Sequence, residues 1–334
     1  MSAQVLLDGL AERKSTALAR AISMVENGTP GFEELLAGLQ GKLGRGRRIG
    51  ITGPPGAGKS TLTERLTSAF RAQGLSVGVI AVDPSSPFTG GALLGDRIRM
   101  ERSSLDDGVF IRSMASRGSL GGMATTTGEV ADIMDAYGFD RIIIETVGVG
   151  QSELDVMAAS DTTVVVLVPE SGDGIQVMKA GLMEIADIFV VNKADRPGAD
   201  SIRQELEVAI GLRTGQAYRH MTSKAGHGTP RQAVKQSSSQ AWEPPVLATI
   251  AAKGEGIDEL VAAMDKHYEQ LTSLGILEER RHTRGVVRTR EVVERAMRRW
   301  VANELKDADP SVGPYDMAAA IMARLNGSMA YERG

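Results

Sequence analysis

The sequence contains no cysteine and only four histidines among its 334 residues. The lack of cysteine excludes disulfides, thiolate metal sites and cysteine nucleophiles. The histidines are scattered along the chain, which argues against a histidine-rich metal store. Basic and acidic residues nearly balance, with 38 Lys and Arg against 42 Asp and Glu. Because there is no basic excess, we expect neither nucleic acid nor an acidic membrane surface as a partner.

Long apolar runs are also absent. The longest, such as Thr162 to Val168, are far shorter than the roughly 20 residues that a membrane-spanning helix needs. The N-terminal residues carry charges throughout and lack the apolar core of a secretion signal. Hydrophobic residues still make up 42% of the chain, which is enough for a buried core. We therefore expect a globular, cytoplasmic protein.

The hydrophobic pattern changes twice along the chain. In the first part, apolar residues repeat at helical spacing up to Asn27-Gly28 and again from Phe32 to Leu43. After Gly275, an arginine-rich segment keeps helical spacing and fits either a solvated helix face or an amphipathic arm that packs on a second subunit. The predicted parts are an N-terminal helical extension (1–45), a central domain (46–273) and a C-terminal helical arm (274–334).

Short β-rich segments alternate with helical segments in the central part. Several are continuously apolar, which is typical of strands buried on both faces of a parallel sheet. The intervening helices provide crossover connections, so we predict an α/β fold with a doubly wound, mainly parallel sheet. The polar residues 212–241 are predicted to form a surface excursion with little core, part helix and part mobile loop. The predicted strands are 48–53, 76–84, 109–114, 140–146, 162–170, 186–195 and 245–253.

A glycine-rich segment follows the first predicted strand and precedes a predicted helix. Residues 53–60 match the spacing G-x-x-x-x-G-K-[ST]. Its glycines allow successive backbone amides to point at phosphate groups, and the helix N-terminus adds positive potential. We expect Lys59 to reach the β- and γ-phosphates, Ser60 to bind Mg²⁺ and Thr61 to contact the α-phosphate. The residues predicted to bind the phosphates of a nucleoside triphosphate are Gly53, Pro55, Gly56, Ala57, Gly58, Lys59, Ser60 and Thr61.

The segment Asn192-Lys193-Ala194-Asp195, at the end of the sixth predicted strand, indicates which base is bound. A buried Asp195 carboxylate accepts hydrogen bonds from the N1–H and the exocyclic amine of guanine, whereas adenine offers no such donor pair. We expect Lys193 to pack over the base and Asn192 to brace the loop. GTP and GDP are therefore the predicted nucleotides. The residues of a later turn predicted to cap the guanine O6 through backbone amides are Ala251, Ala252 and Lys253.

The γ-phosphate is expected near the end of the fourth predicted strand. Glu145 ends this apolar strand, where a carboxylate needs a cation or a water-mediated metal contact. Gly148 offers an unhindered amide to the γ-phosphate. Val149 follows, whereas small G proteins have a catalytic glutamine soon after this glycine. We therefore expect slow unassisted hydrolysis of GTP, on the order of 10⁻² s⁻¹ or less.

Two further carboxylates are candidate ligands of Mg²⁺ beside Ser60. Asp83 ends the second predicted strand, at the edge of the sheet where ligands bind in open α/β folds. Asp96 lies in a glycine-flanked segment that is suited to close over the nucleotide. Mg²⁺ prefers hard oxygen ligands and keeps several waters, so one or two carboxylates are enough. Each of the two residues also fits a helix cap or a turn.

Together these segments resemble the MeaB/ArgK family of P-loop GTPases, the G-protein chaperones of adenosylcobalamin-dependent methylmalonyl-CoA mutase. The resemblance rests on GPPGAGKST, AVDPSSPFTGGALLGDRIRM, FDRIIIETVGVGQSE, VVNKAD and GPYDMAAAIM. It extends from the N-terminal helices almost to the C-terminus and is densest between Arg48 and Asp195. It implies a P-loop G domain with helical extensions, of which the C-terminal one forms a homodimer.

The resemblance also implies roles for individual residues and a partner. The implied partner is an adenosylcobalamin-dependent acyl-CoA mutase, either methylmalonyl-CoA mutase or a relative, whose cofactor loading is gated by GTP and which the chaperone protects or reactivates. The catalytic positions are Lys59, Asp96, Glu145 and Gly148. The Mg²⁺ ligands are Ser60, Asp83, Asp96 and Glu145. The partner-responsive positions, within residues 170–179, are Asp173, Gln176 and Lys179.

Two other classes of protein share part of this pattern. A nickel- or zinc-delivery GTPase of the same superfamily needs thiolate or imidazole ligands, and the absence of cysteine together with four scattered histidines argues against it. A P-loop kinase needs a separate acceptor pocket, and the guanine-reading segment disfavours ATP as its phosphate donor.

We predict selective binding of guanine nucleotides. Titration calorimetry should show binding of GTP and GDP. The affinity for ATP should be lower by roughly 10⁴-fold, because adenine cannot donate two hydrogen bonds to Asp195. Equal uptake of ATP, or uptake of neither nucleotide, would contradict the interpretation of Asp195 and Lys59.

Overall fold

The structure is a computed structural model that describes residues 2–83, 106–115, 122–146, 157–169, 182–213, 242–306, 309 and 311–331. The chain forms two compact units, Met1–Arg284 and Gly285–Gly334. The three parts inferred from the sequence remain predictions. Most of the predicted surface excursion at 212–241 lies outside the described residues.

In the part of the chain that the structure describes, seven strands form the sheet. They are β1 (Arg47–Thr52), β2 (Val77–Asp83), β3 (Val109–Ala115), β4 (Arg141–Thr146), β5 (Thr162–Leu167), β6 (Ile188–Asn192) and β7 (Val246–Thr249). All are parallel, in the order β3-β2-β4-β1-β5-β6-β7. Each strand coincides with a predicted one, so the predicted α/β fold class is confirmed. Every residue of β4, β5 and β6 is buried, which explains why these segments are apolar without alternation.

The predicted helix from Phe32 to Leu43 is wrong at its C-terminal end. The helix that begins at Phe32 ends at Ala37, and a short 3₁₀ turn follows over Gln40–Lys42. Gly38, which lies between them, disfavours continuation of the helix.

No described helix is long and apolar enough to cross a membrane. The described helices are α1 (Ala3–Ala11), α2 (Ser15–Glu26), α3 (Phe32–Ala37), α4 (Lys59–Ala72), α5 (Gly122–Tyr137), α6 (Leu182–Ile185), α7 (Ala199–Arg213), α8 (Ile257–Ser273), α9 (Ile276–Glu304) and α10 (Pro314–Tyr331).

Successive side chains of the strands face opposite sides of the sheet and contribute to separate layers of the core. On one face, Ile143 and Val164 pack with apolar residues of α4 and α8. On the other face, Ile142 and Ile144 pack with α5 and the three N-terminal helices, and Phe189 packs with α7. Helices therefore cover both faces of the sheet, as a doubly wound fold requires.

Asp135 of α5 fixes the chain where it enters β1. Its carboxylate accepts hydrogen bonds from the amides of Gly44, Arg45 and Gly46 at 2.8, 3.0 and 2.8 Å. It also lies 3.2 Å from the guanidinium of Arg48. These donors compensate for the loss of hydration around a buried carboxylate. The helix α5, which contacts the N-terminal helices, is thereby joined to the central strand of the sheet.

Two carboxylates at the amino ends of β5 and β6 bind arginines from the first turns of α9. Asp161, which is fully buried, pairs with Arg281 at 2.8 Å and with Arg284 at 2.7 Å. Asp187 pairs with Arg280 at 3.1 Å. The interpretation of the arginine-rich segment as a solvated face is therefore wrong for its first turns, up to Arg284, where charge pairs hold the start of α9 against the sheet.

The charge pairs also set the ionisation of Asp161. Burial acts to raise the pKa of Asp161, but the hydrogen bonds and positive charges of Arg281 and Arg284 outweigh this effect and lower the pKa from 3.8 to about 2. The carboxylate is thus stabilised in its charged form inside the protein.

We expect Asp161 to make the fold sensitive to acid. Because its pKa is lower in the folded than in the unfolded chain, its contribution is complete above about pH 4 and is lost as the pH falls to about 2. The contribution is on the order of 2 kcal/mol. Asp161→Asn leaves two arginines without their carboxylate, so it should lower the free energy of unfolding at pH 7 by about 3 kcal/mol.

Thermal unfolding measured from pH 7 to pH 2 checks this prediction. Asp161→Asn should flatten the pH dependence between about pH 4 and pH 2. The exposed Asp258, changed to Asn, is the control and should leave the slope as in the wild type. The same slope in Asp161→Asn and in the control would contradict the prediction.

Candidate active site

The carboxyl ends of four strands meet where the predicted ligand-binding segments lie. The strand β1 leads directly into residues 53–58, and its neighbour β4 ends at Thr146. The paired strands β6 and β7 end at Asn192 and Thr249. This edge is where open parallel sheets bind ligands. The structure therefore brings the predicted phosphate and base segments to one edge of the sheet.

The glycine-rich turn between β1 and α4 has little room for side chains. Gly53 has a φ of +140°, and a Cβ there would lie 2.0 Å from the carbonyl oxygen of Val166. Gly58 has a φ of +87°, and a Cβ there would lie 2.5 Å from Nδ2 of Asn192. Any larger residue would displace the turn from β5 or from Asn192. The packing of the sheet thus requires glycine at both positions.

Lys59 is the first residue of α4 and is buried. Its Nζ donates hydrogen bonds to the carbonyl oxygens of Gly53 at 2.8 Å and Pro54 at 3.0 Å. The ammonium group therefore lies against the glycine-rich turn, as expected for a P-loop lysine. The amide of Leu62 bonds the carbonyl of Gly58 at 2.9 Å, so α4 begins within the turn. The helix N-terminus adds positive potential at this point.

Ser60 and Glu145 are in direct contact. The hydroxyl of Ser60 donates to Oε1 of Glu145 at 2.6 Å, and Glu145 is only 6% exposed. The strand register explains the contact, because Ile51 of β1 pairs with Glu145 of β4 just before the turn begins. A hydroxyl and a carboxylate are hard oxygen donors of the kind that Mg²⁺ binds. This pair fits the donor set predicted from the sequence.

Asp83 ends β2, which lies beside β4 in the sheet. Ala81 pairs with Glu145, so Asp83 extends further toward the same edge. The structure thus places Asp83 on the strand next to Glu145, in accord with its predicted position. The other predicted catalytic and switch residues lie outside the described part of the chain, and their roles stay predictions. They are Asp96, Gly148, Asp173, Gln176 and Lys179.

Asn192 joins three segments of the site. Its Nδ2 donates to the carbonyl oxygen of Ala57, in the glycine-rich turn, at 2.8 Å. Its Oδ1 accepts from the hydroxyl of Thr249 at 3.1 Å and from the amide of Ala251 at 3.0 Å. Because Asn192 is buried, water does not compete for these bonds. One side chain therefore positions the phosphate turn relative to the segment predicted to contact the base.

Lys193 and Asp195 follow at the end of β6. Lys193 has a φ of +56°, which is uncommon for a residue with a side chain, and its Nζ donates to the carbonyl of Gly56 at 2.9 Å. The prediction that Asp195 is buried is wrong, because its side chain is 43% exposed and lies 3.5 Å from Nζ of Lys253. Asp195 lies in a turn beyond the strand, where solvent reaches it.

Arg65 also contacts this region, and the sequence does not predict it. From α4, its Nε donates to the carbonyl of Ala251 at 3.0 Å and its Nη2 donates to the carbonyl of Ala252 at 2.7 Å. No local pattern marks this arginine, because it lies on the exposed side of an amphipathic helix. Its partners follow 186 and 187 residues further along the chain.

A parallel sheet, a phosphate turn between its first strand and a helix, and an Asn-Lys-x-Asp segment at the same edge define a P-loop GTPase. The family model described as Methylmalonyl Co-A mutase-associated GTPase MeaB matches residues 18–306. The chain belongs to this family. It is therefore a GTPase, and it binds GTP and GDP.

Relatives align with nearly the whole chain. A protein of Pyrococcus abyssi is 44% identical over 338 residues, which cover 96% of this chain and 98% of the relative. GTPase ArgK of Escherichia coli is 36% identical over 300 residues, which cover 88% of this chain and 85% of ArgK. The crystal structure of an LAO/AO transport system kinase is similar with a TM-score of 0.65 and 26% identity, over 97% of both chains.

We expect Asn192→Ala to disconnect the phosphate turn from the segment at Ala251. The variant should bind GDP at least about tenfold more weakly, because it loses three hydrogen bonds and leaves the buried amide of Ala251 without an acceptor. Calorimetric titration with GDP measures this loss. Asn27→Ala is the matched control, since Asn27 is exposed and bonds Ser23 near the end of α2. Unchanged GDP affinity in Asn192→Ala would refute the prediction.

Proposed function

We propose that the chain is a GTP-dependent chaperone of an adenosylcobalamin-dependent acyl-CoA mutase, either methylmalonyl-CoA mutase or a relative. The observation that carries this proposal is the family match, because the family is described by its association with methylmalonyl-CoA mutase. GTP gates the loading of the cofactor onto the mutase, and the chaperone protects or reactivates that enzyme in the cytoplasm.

In this proposal the nucleotide binds along the carboxyl edge of the sheet. The phosphates are bound by residues 53–61, where the turn and the N-terminus of α4 supply positive potential. Lys59 exchanges its bonds to the turn carbonyls for bonds to the phosphates. Asp195 accepts the guanine donors, and its exposure supports this role because a base has access to the carboxylate. The prediction that all three amides of residues 251–253 cap the guanine O6 is wrong for Ala251 and Lys253, because these amides donate to Asn192 and Ile250. The amide of Ala252 is then the donor to O6.

Ser60 and Glu145 would hold Mg²⁺, with Asp83 and Asp96 as further candidate ligands. The contact of 2.6 Å between Ser60 Oγ and Glu145 Oε1 supports this assignment, because it places two hard oxygen donors together beside the phosphate turn. A Mg²⁺ ion held by these oxygens would supply positive charge that offsets the charge of the phosphates. Lys59, the first residue of α4, would add a second positive charge there.

The γ-phosphate gives the proposed chaperone two states. The segments around Asp96, Gly148 and residues 170–179 respond to this phosphate, and the mutase distinguishes their two arrangements. Because coupling between binding sites is reciprocal, the mutase changes nucleotide affinity by the same factor as nucleotide changes affinity for the mutase. No glutamine follows Gly148 directly, so hydrolysis is slow alone and is stimulated by the partner.

The proposed homodimer forms through the C-terminal helices. Within Gly285–Gly334, Val286 and Val293 of α9 are 58% and 56% exposed, and their spacing places them on one face of the helix. In α10, Tyr315 and Met322 are 89% and 53% exposed. Exposed apolar side chains in such number are typical of a surface that contacts another chain. This supports the arm interpretation of the segment beyond Arg284.

A phosphotransferase is the second candidate function, since the solved relative with a TM-score of 0.65 is named a transport system kinase. The guanine-reading segment at 192–195 disfavours the usual donor, ATP. A metal-delivery GTPase has less support. The described residues contain no group of three or more His, Cys, Asp or Glu side chains that could hold a metal ion, and the whole chain lacks cysteine.

Hydrolysis of GTP and affinity for GDP, measured with and without the mutase, test the proposed function. A purified adenosylcobalamin-dependent acyl-CoA mutase from the same source should raise kcat at least about tenfold or shift the Kd of GDP, because it binds the two nucleotide states unequally. An acyl-CoA enzyme without cobalamin is the control. If the mutase changes neither quantity, the proposal fails. Transfer of labelled phosphate to an acceptor other than water would favour the kinase instead.

A further inference from the structure

We propose that Arg65 is a positioning residue for guanine recognition, which orients the backbone amide of Ala252 toward the guanine O6. The inference rests on the proposed function, because it takes residues 251–253 as the segment that contacts the base. Arg65 does not touch the base. It acts through the two carbonyl groups that it binds.

Most amides of the segment after β7 already donate hydrogen bonds. The amide of Ala251 donates to Oδ1 of Asn192 at 3.0 Å. The amides of residues 253–255 donate to the carbonyl of Ile250 at distances between 2.9 and 3.3 Å. Among the residues that the structure describes, the amide of Ala252 has no acceptor, and Ala252 is exposed. Ala252 therefore supplies the amide that is available to an acceptor on a ligand.

Arg65 fixes the peptide unit to which this amide belongs. A peptide unit is planar and trans, so the carbonyl of Ala251 and the amide of Ala252 point in opposite directions. Nε of Arg65 binds the carbonyl of Ala251 at 3.0 Å, and Nη2 binds the carbonyl of Ala252 at 2.7 Å. The rigid guanidinium thus orients two successive peptide units and directs the amide of Ala252 away from α4. Its charge also polarises the first unit and strengthens the amide as a donor.

The helix that carries Arg65 is itself held firmly. Leu62 and Leu66, on the turns around Arg65, are fully buried in the same core layer as Ala251 and Ile257. The helix α4 begins in the phosphate turn at Lys59. One helix therefore carries both the lysine predicted to bind the phosphates and the arginine that orients the base-reading segment.

The direction of the Ala252 amide matters because guanine and adenine differ at position 6. Guanine carries an acceptor there, whereas adenine carries an amino group that repels an amide donor. Asp195 reads different groups, the N1–H and the 2-amine of guanine. Inosine keeps O6 and N1–H but lacks the 2-amine. A comparison of GDP, IDP and ADP therefore separates the contribution of Arg65 from that of Asp195.

Calorimetric titration of the full chain with GDP, IDP and ADP tests the inference. Arg65→Ala should lower the affinities for GDP and IDP by the same factor, roughly five- to twentyfold, because both bases carry O6. ADP should bind as it does to the wild type. Arg65→Lys keeps the charge but cannot bind two carbonyls with a fixed fork, so it should recover only part of the affinity. It also replaces Arg65→Ala if that variant does not fold.

Arg71→Ala is the matched control from the same helix. Arg71 binds Asp106 and the carbonyl of Leu75 near the end of α4, so its loss should leave all three affinities unchanged. Unchanged GDP affinity in Arg65→Ala would overturn the inference. An equal loss of affinity for GDP and ADP would also overturn the inference. Such a loss would show that Arg65 affects phosphate binding or the stability of the whole fold.

A failure of the proposed function would give different experimental results. A wild-type chain that binds ADP as tightly as GDP would contradict the base-reading segment itself, whatever the Arg65 variants do. A mutase without effect on GTP turnover and GDP affinity would contradict the chaperone role but leave the comparison of GDP, IDP and ADP intact. The contribution of Arg65 is therefore measured independently of the partner.

Discussion

The nucleotide site depends on the buried amide of Asn192. This side chain binds the phosphate turn at Ala57, the hydroxyl of Thr249 and the amide of Ala251. Ala57 lies far from Thr249 and Ala251 in the sequence, and Asn192 connects the two regions. One residue at the end of β6 therefore links the segment predicted to bind the phosphates to the segment predicted to contact the base. Arg65 makes a second connection of this kind. From α4, the helix that follows the phosphate turn, it binds the carbonyls of Ala251 and Ala252.

The two ends of the sheet have different roles. The amino ends carry ion pairs that stabilise the fold, and the carboxyl ends carry groups suited to bind a ligand. At the amino ends of β5 and β6, Asp161 and Asp187 are buried and paired with arginines of α9. At the carboxyl ends, polar groups such as Ser60 and Glu145 face the phosphate turn. Charges at the first edge are neutralised within the protein itself, whereas those at the second are suited to exchange their partners for a ligand and a cation.

The sequence predicts the strands, the parallel sheet and the phosphate turn, because each is indicated by a pattern within a few neighbouring residues. It does not predict contacts such as those of Arg65 and Arg281, whose partners lie more than a hundred residues away. Periodicity tells which face of a helix is apolar, but it does not tell which polar groups pair across elements. The motif does not show that the Asp195 carboxylate is exposed, because its exposure depends on the turn that follows β6.

The order in which these contacts arise along the chain has a consequence for synthesis. The bond between Asn192 and Ala57 spans 135 residues, and that between Arg65 and Ala251 spans 186. A nascent chain that has emerged only as far as β6 already contains the glycine-rich turn but lacks both carbonyls that Arg65 binds. The contribution proposed for Arg65 and the amide of Ala252 would thus arise only when β7 joins the sheet. A cell rich in guanine nucleotides would then favour completed molecules over partly folded ones.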